Sequence, residues 1–228
     1  MGRNNNARGF IEPQNERQRA YWKNLRDYRL NFALGAAGTG KTLLGVDAAL
    51  EKLNDGDINK IILTTPVVDA DEGIGDLPGE MHEKMAPYMQ ALYDAFTEAG
   101  LQSPHEKMLR GEIEIAPLSY MRGRTFMDAF VILDEAQNTT PAQIKMFLTR
   151  MGHGTHMAVT GDHTQSDLNL PQNGLAYAFN AQKGMQGIGT VEFYNKDSLR
   201  DPMVAQMLQN FDDYDARRAK SGPNPQPK

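Results

Sequence analysis

The residues Gly35-Ala36-Ala37-Gly38-Thr39-Gly40-Lys41-Thr42 form a glycine, a four-residue spacer and then Gly-Lys-Thr, which is the Walker A pattern. Glycines let the backbone curl so that successive N–H groups face one anion, and a helix starting at Lys41 presents its positive end to the same place. The chemistry this suits is polyphosphate binding: Gly35, Ala36, Ala37, Gly38, Thr39 and Gly40 cradle the phosphates, Lys41 reaches the β- and γ-phosphates, and the Thr42 hydroxyl ligates Mg²⁺.

Three further groups extend that chemistry. The apolar run Ala129-Phe130-Val131-Ile132-Leu133 ends in Asp134-Glu135. Asp134 suits a Walker B carboxylate that holds Mg²⁺, and Glu135 suits a base that orients a water toward the γ-phosphate. A second run, Met157-Ala158-Val159-Thr160, ends in Gly161-Asp162-His163-Thr164-Gln165, where Asp162 and Gln165 are placed to sense the γ-phosphate. Superfamily 1 helicases carry a similar Gly-Asp-x-x-Gln loop. Upstream, the Gln18 amide both donates and accepts, which matches the N7 and N6 edge of adenine and makes ATP the expected nucleotide.

These residues need a frame that brings them to one edge. Alternation of short apolar runs with helical segments supplies it: helices near 16–27 and 41–53, and strands near 31–34, 60–64, 112–115, 129–133, 156–160 and 190–193. Strands rich in Val, Ile, Leu and Phe without polar alternation are those of a parallel sheet covered on both faces, so the expected fold class is α/β. Ligand groups then gather at the carboxyl ends of the strands. Between 69 and 110 the chain reads as a helical insertion, in which Met81, Met85 and Met89 recur at helical spacing as a packing stripe.

Beyond the phosphate loop, the chain resembles the PhoH family of P-loop ATPases from about Gln18 to Leu208. The resemblance rests on residues 35–42, 77–80, 87–88, 116–125, 134–140 and 145–150, and on Gly161-Asp162 with Gln165. It implies a single RecA-like ATPase domain, a link to phosphate starvation, action on single-stranded RNA, and assembly into a homo-oligomeric ring such as a hexamer. Arg200, in Asp197-Ser198-Leu199-Arg200, matches the family's Asp-x-x-Arg segment. It is carried over as an arginine finger, in cis or in trans, with a helix-start arginine paired to Asp197 or Asp201 as the alternative. The chain departs from the family pattern at Thr65, where an arginine is usual, at Asp71, where a glycine is usual, and at Asp201, where a histidine is usual.

Composition sets the remaining bounds. With 24 Lys and Arg against 29 Asp and Glu, the net charge of −5 argues against a strongly basic nucleic-acid binder, although Arg17, Arg19, Lys23, Arg26 and Arg29 make the N-terminal part locally basic. Arg122 and Arg124 form a second basic pair suited to phosphate, with an ion pair to the Asp128 region as the other reading. The absence of cysteine excludes disulfide and thiolate chemistry. No stretch resembles a signal peptide or a membrane span, so a cytoplasmic protein without membrane contact is expected. The expected organisation is a flexible segment at 1–14, one ATPase domain at 15–212 and a flexible, proline-rich tail at 213–228. Function then divides between an Mg²⁺-dependent ATPase, motor-like or helicase-like, and an ATP-gated assembly switch whose hydrolysis is incidental.

Overall fold

The computed structural model describes residues 11–66, 90, 93–162, 165 and 173–221. The segments at 77–80 and 87–88, Asp71, the Met81/Met85/Met89 stripe and the tail from 222 onward lie outside the described residues.

The described chain runs α1 (Glu16–Asp27), β1 (Leu30–Gly35), α2 (Lys41–Asp55), β2 (Lys60–Thr65), α3 (Pro104–Leu109), β3 (Ile113–Pro117), β4 (Ala129–Leu133), α4 (Pro141–Leu148), β5 (His156–Gly161), α5 (Gly174–Ala181), β6 (Ile188–Phe193) and α6 (Pro202–Ser221). Local chemistry sets several of the starts. Asn15 caps α1 by accepting the Gln18 N–H, and Asn173 caps α5 by accepting that of Ala176. Thr140 and Gln143 close a reciprocal capping box on α4, with Pro141 in the first turn.

All strand pairs are parallel, and the sheet order is β3-β2-β4-β5-β1-β6. The continuous apolar runs are explained by burial on both faces. Along β4, Phe130 and Ile132 enter one core with Tyr21, Leu25, Leu44 and Phe96, while Val131 and Leu133 enter the other with Ile144, Phe147 and Leu175. One face therefore packs α1 and α2, and the opposite face packs α4 and α5.

Register fixes what reaches the functional edge. Leu34 pairs with Gly161 and Leu133 with Val159, so β1, β4 and β5 end side by side at the centre of the sheet. The phosphate loop, Asp134-Glu135 and Asp162 follow those three ends directly.

Two boundaries differ from expectation. Residues 11–14, read from sequence as part of the lead-in, lie against the domain: Ile11 N–H donates to Asp47 Oδ1 at 3.3 Å and Gln14 N–H to Gln18 Oε1 at 2.7 Å. At the other end α6 continues through 212 to Ser221, because prolines, the expected helix breakers, begin only at Pro223. No described helix is long and apolar enough to cross a membrane.

Candidate nucleotide site

A cleft of about 400 Å³ opens at the carboxyl ends of β1, β4 and β5. Its lining brings together Ala37 to Thr42, Asp134, Glu135, Asp162 and Gln165, so the sequence-expected phosphate, metal and γ-phosphate groups share one space. Its size is that of ordinary small-ligand sites.

The 15-residue helix α2 begins at Lys41, with Gly40 in the left-handed region at φ 81° as its cap. No side chain caps this end, so the free N–H groups and the positive helix end face the cleft. Lys41 is buried, and its ammonium donates to the carbonyls of Gly35 and Ala36, both at 2.7 Å. Burial lowers its pKa, opposed by the carboxylates of Asp134, Asp162 and Glu135, with Arg200 reinforcing the fall. The desolvated ammonium is held among acids and gains from any anion brought beside it.

Thr42 and Asp134 meet directly. The Thr42 hydroxyl donates to Asp134 Oδ2 at 2.7 Å, the Thr160 hydroxyl to Oδ1 at 2.5 Å, and the Glu135 N–H to Oδ1 at 3.0 Å. This carboxylate is fixed from three elements. A hydroxyl beside a carboxylate, at the mouth of an anion-binding loop, is the hard-oxygen donor set that Mg²⁺ takes.

Glu135 contrasts with its neighbour. It is exposed and sits at φ 52°, a left-handed conformation that a non-glycine residue adopts at a cost of about 1–3 kcal/mol. That backbone turn throws consecutive acids in different directions, Asp134 onto the Thr42 and Thr160 hydroxyls and Glu135 toward the open cleft.

Gln18 lies beside the phosphate loop. Its side chain is buried, Nε2 donates to the Thr39 carbonyl at 2.9 Å, and Oε1 accepts from Gln14. The Nε2 end thus meets the phosphate loop at Thr39 and the Oε1 end meets the lead-in at Gln14, each using half of what the amide can donate or accept. Arg200 lies on its own chain's loop. Leu199 N–H donates to the Gly38 carbonyl at 2.9 Å, and a Cβ at Gly38 would fall 2.6 Å from Arg200 Nε. Neither expected acid holds it: Asp197 pairs with Arg17 at 3.1 Å, and Asp201 Oδ1 accepts the Met203 N–H.

The second basic pair separates. Arg124 forks onto Glu114 at 2.6 and 3.0 Å, not onto Asp128, while Arg122 is exposed. The hydrogen bond from Arg124 is the main reason the Glu114 carboxyl stays below its ordinary range.

Three residues lining the cleft, and Thr160 behind Asp134, escape sequence reading. Thr160 reads only as the end of a strand, although a hydroxyl closing an apolar run beside a Walker B strand is a usable signal. Gln137, two residues past Glu135, reads only as part of a resembling segment. Asp94 and Glu98 line the cleft from a helical stretch at 93–98, and no local pattern connects that stretch to the loop.

A parallel sheet with this loop and these carboxylates at its central edge defines the class: a P-loop NTPase. The family described as PhoH-like protein matches residues 10–212, and the chain belongs to the PhoH family. A PhoH-like protein of Bacillus subtilis (strain 168) is 50% identical over 210 residues, covering 91% of this chain and 66% of that protein. Protein PhoH of Escherichia coli (strain K12) is 42% identical over 217 residues, covering 92% of this chain and 61% of that protein. The chain therefore spans less than two thirds of the length of these relatives. Among solved structures, the large terminase from a thermophilic bacteriophage matches at TM-score 0.57 and 9% identity, over 87% of this chain and 50% of that one. The UvsW helicase from bacteriophage T4 matches at TM-score 0.50 and 13% identity, over 81% and 60%. At such identities these two likenesses speak to the fold alone.

Proposed function

We propose that this protein is an Mg²⁺-dependent ATPase that uses the cleft at the ends of β1, β4 and β5. The observation that carries the reading is the direct bond between Thr42 and Asp134, with Glu135 turned away from it into the same cleft. Thr42 and Asp134 would hold Mg²⁺, which when bound neutralises phosphate charge. Lys41 exchanges the carbonyls of Gly35 and Ala36 for phosphate oxygens. Glu135 orients a water and accepts its proton as the water oxygen bonds to the γ-phosphorus and the bond to the β–γ bridging oxygen breaks, giving ADP and phosphate. Asp162 and Gln165 face the γ-phosphate from β5.

Arg200 acts in cis in this reading. What supports this is that its side chain lies over Gly38 of the chain's own phosphate loop, from where a guanidinium would meet charge that develops on the γ-phosphoryl group. The Gln18 amide supports the loop through Thr39 in this reading and keeps its second N–H and lone pair for the adenine edge. Work on single-stranded RNA and assembly into a ring rest on the family resemblance and enter the test as variables.

The test is steady-state ATP hydrolysis with Mg²⁺, with and without single-stranded RNA. Lys41→Ala abolishes turnover. Glu135→Gln keeps ATP binding and slows turnover at least tenfold, a rise of about 1.4 kcal/mol or more in the barrier. Unchanged turnover in Glu135→Gln removes that residue from the base role, and tight ATP binding without turnover in the unaltered protein replaces the ATPase with a nucleotide-gated switch.

A further inference from the structure

Gln137 is buried in a helical turn that starts just after Glu135, and the proposed chemistry does not use it. Its carboxamide is stretched between two elements. Nε2 donates to Glu135 Oε2 at 2.5 Å, and Oε1 accepts the backbone N–H of Asp162 at 3.0 Å. The second contact is built into β5. A Cβ at Gly161 would stand 2.3 Å from Gln137 Oε1, so glycine at the end of β5 is what allows the amide to reach the turn.

Glu135 needs such a partner. Its backbone is in the left-handed region and its side chain is exposed, and the Gln137 amide holds one of its two carboxylate oxygens. A neutral amide suits the position, because one group donates to the carboxylate while accepting from the N–H of the opposite turn, which neither a carboxylate nor an ammonium can do. We infer that Gln137 is a positioning residue that couples the Glu135 carboxylate to the Gly161–Asp162 turn. Movement of that turn against a γ-phosphate is transmitted through one amide to the group that orients the water. This inference rests on the assignment of Glu135 as base.

Two variants separate the halves of the bridge. Gln137→Met removes these two hydrogen bonds at similar length, and Gln137→Glu keeps an acceptor for the Asp162 N–H while setting a second carboxylate against Glu135 in place of the donor. In Mg²⁺-ATP hydrolysis by the full chain, both variants lower kcat about tenfold or more, with KM for ATP within about twofold of the unaltered protein. Thermal unfolding shows Gln137→Glu less stable than the unaltered protein, because it buries a second carboxylate against that of Glu135, so kcat is compared well below both midpoints. The double variant Glu135→Gln/Gln137→Met is no slower than Glu135→Gln alone, since Gln137 acts through that carboxylate.

Normal kcat in Gln137→Glu, or losses that multiply in the double variant, overturns the coupling while leaving Glu135 as base. An unaltered protein that does not hydrolyse ATP, or a Glu135→Gln protein with full turnover, overturns the base assignment and this inference with it.

Discussion

The two longest described helices, α2 and α6, are both amphipathic and differ in how exposed their described apolar side chains are. Helix α2 is seated on the sheet, with Leu44, Val46, Ala48 and Ala49 fully or nearly fully buried. Along α6, Met203, Met207, Phe211 and Tyr214 recur at spacings of four, four and three, one face of a helix, yet are 71, 46, 65 and 56% exposed. None of the described α6 side chains is buried. Packing therefore holds α2, while the described apolar side chains of α6 lie open. Periodicity gives a helix and the direction of its apolar face; it does not say whether that face is covered by the same chain.

The comparison breaks most sharply on α2. Leu44→Ala removes a buried side chain between the helix and the strands, and a loss of about 2–5 kcal/mol in unfolding free energy is expected by chemical denaturation. A loss below about 1 kcal/mol would mean that α2 is not held by this core and that its contrast with α6 is superficial.

A second test uses the acid buried in α2. Burial pushes the Asp47 carboxyl up to about 6, with Glu51 adding to the rise and the Ile11 N–H, the Trp22 indole and Arg26 opposing it. Native Asp47 keeps its proton until about pH 6, whereas the unfolded chain releases it near the ordinary carboxyl value of about 4. The stability this contributes is complete below about pH 4 and is lost as pH rises through 6. Asp47→Asn, which still accepts from Ile11, is expected to match the unaltered protein near pH 4 and to exceed it by about 1–3 kcal/mol at pH 8. Equal stabilities across that range would show that Asp47 carries no burial penalty.

The same contrast explains what sequence made visible. All six strands were legible, because runs such as Ala129-Phe130-Val131-Ile132-Leu133 are too apolar for a one-sided sheet and too short for buried helices. The loop and its two carboxylates were legible because their chemistry is local: spacing within eight residues defines the phosphate cradle, and a strand end delivers Asp134. Contacts made across the fold were not. Gln18 sits under Thr39, Gln137 reaches Asp162, and Arg124 finds Glu114, each through register or packing that no window of residues encodes. Arg200 lies between these cases: its match to a family segment named it, but only the fold shows it resting on Gly38.

The smallest expected effect is on α6. Phe211→Ser replaces a 65% exposed ring, so if the helix stands free in solution the change in unfolding free energy stays within about 0.5 kcal/mol. Measured at several protein concentrations, the result sharpens the contrast between the helices. An unfolding midpoint that rises with concentration in the unaltered protein, and a Phe211→Ser loss well above 1 kcal/mol at high concentration, would show the stripe packed against another copy of the chain, because only an association links stability to concentration. The two helices would then be alike in having their apolar faces buried, one by its own sheet and the other by its neighbour. If the midpoint stays constant and the loss is small, the difference between them belongs to the single chain.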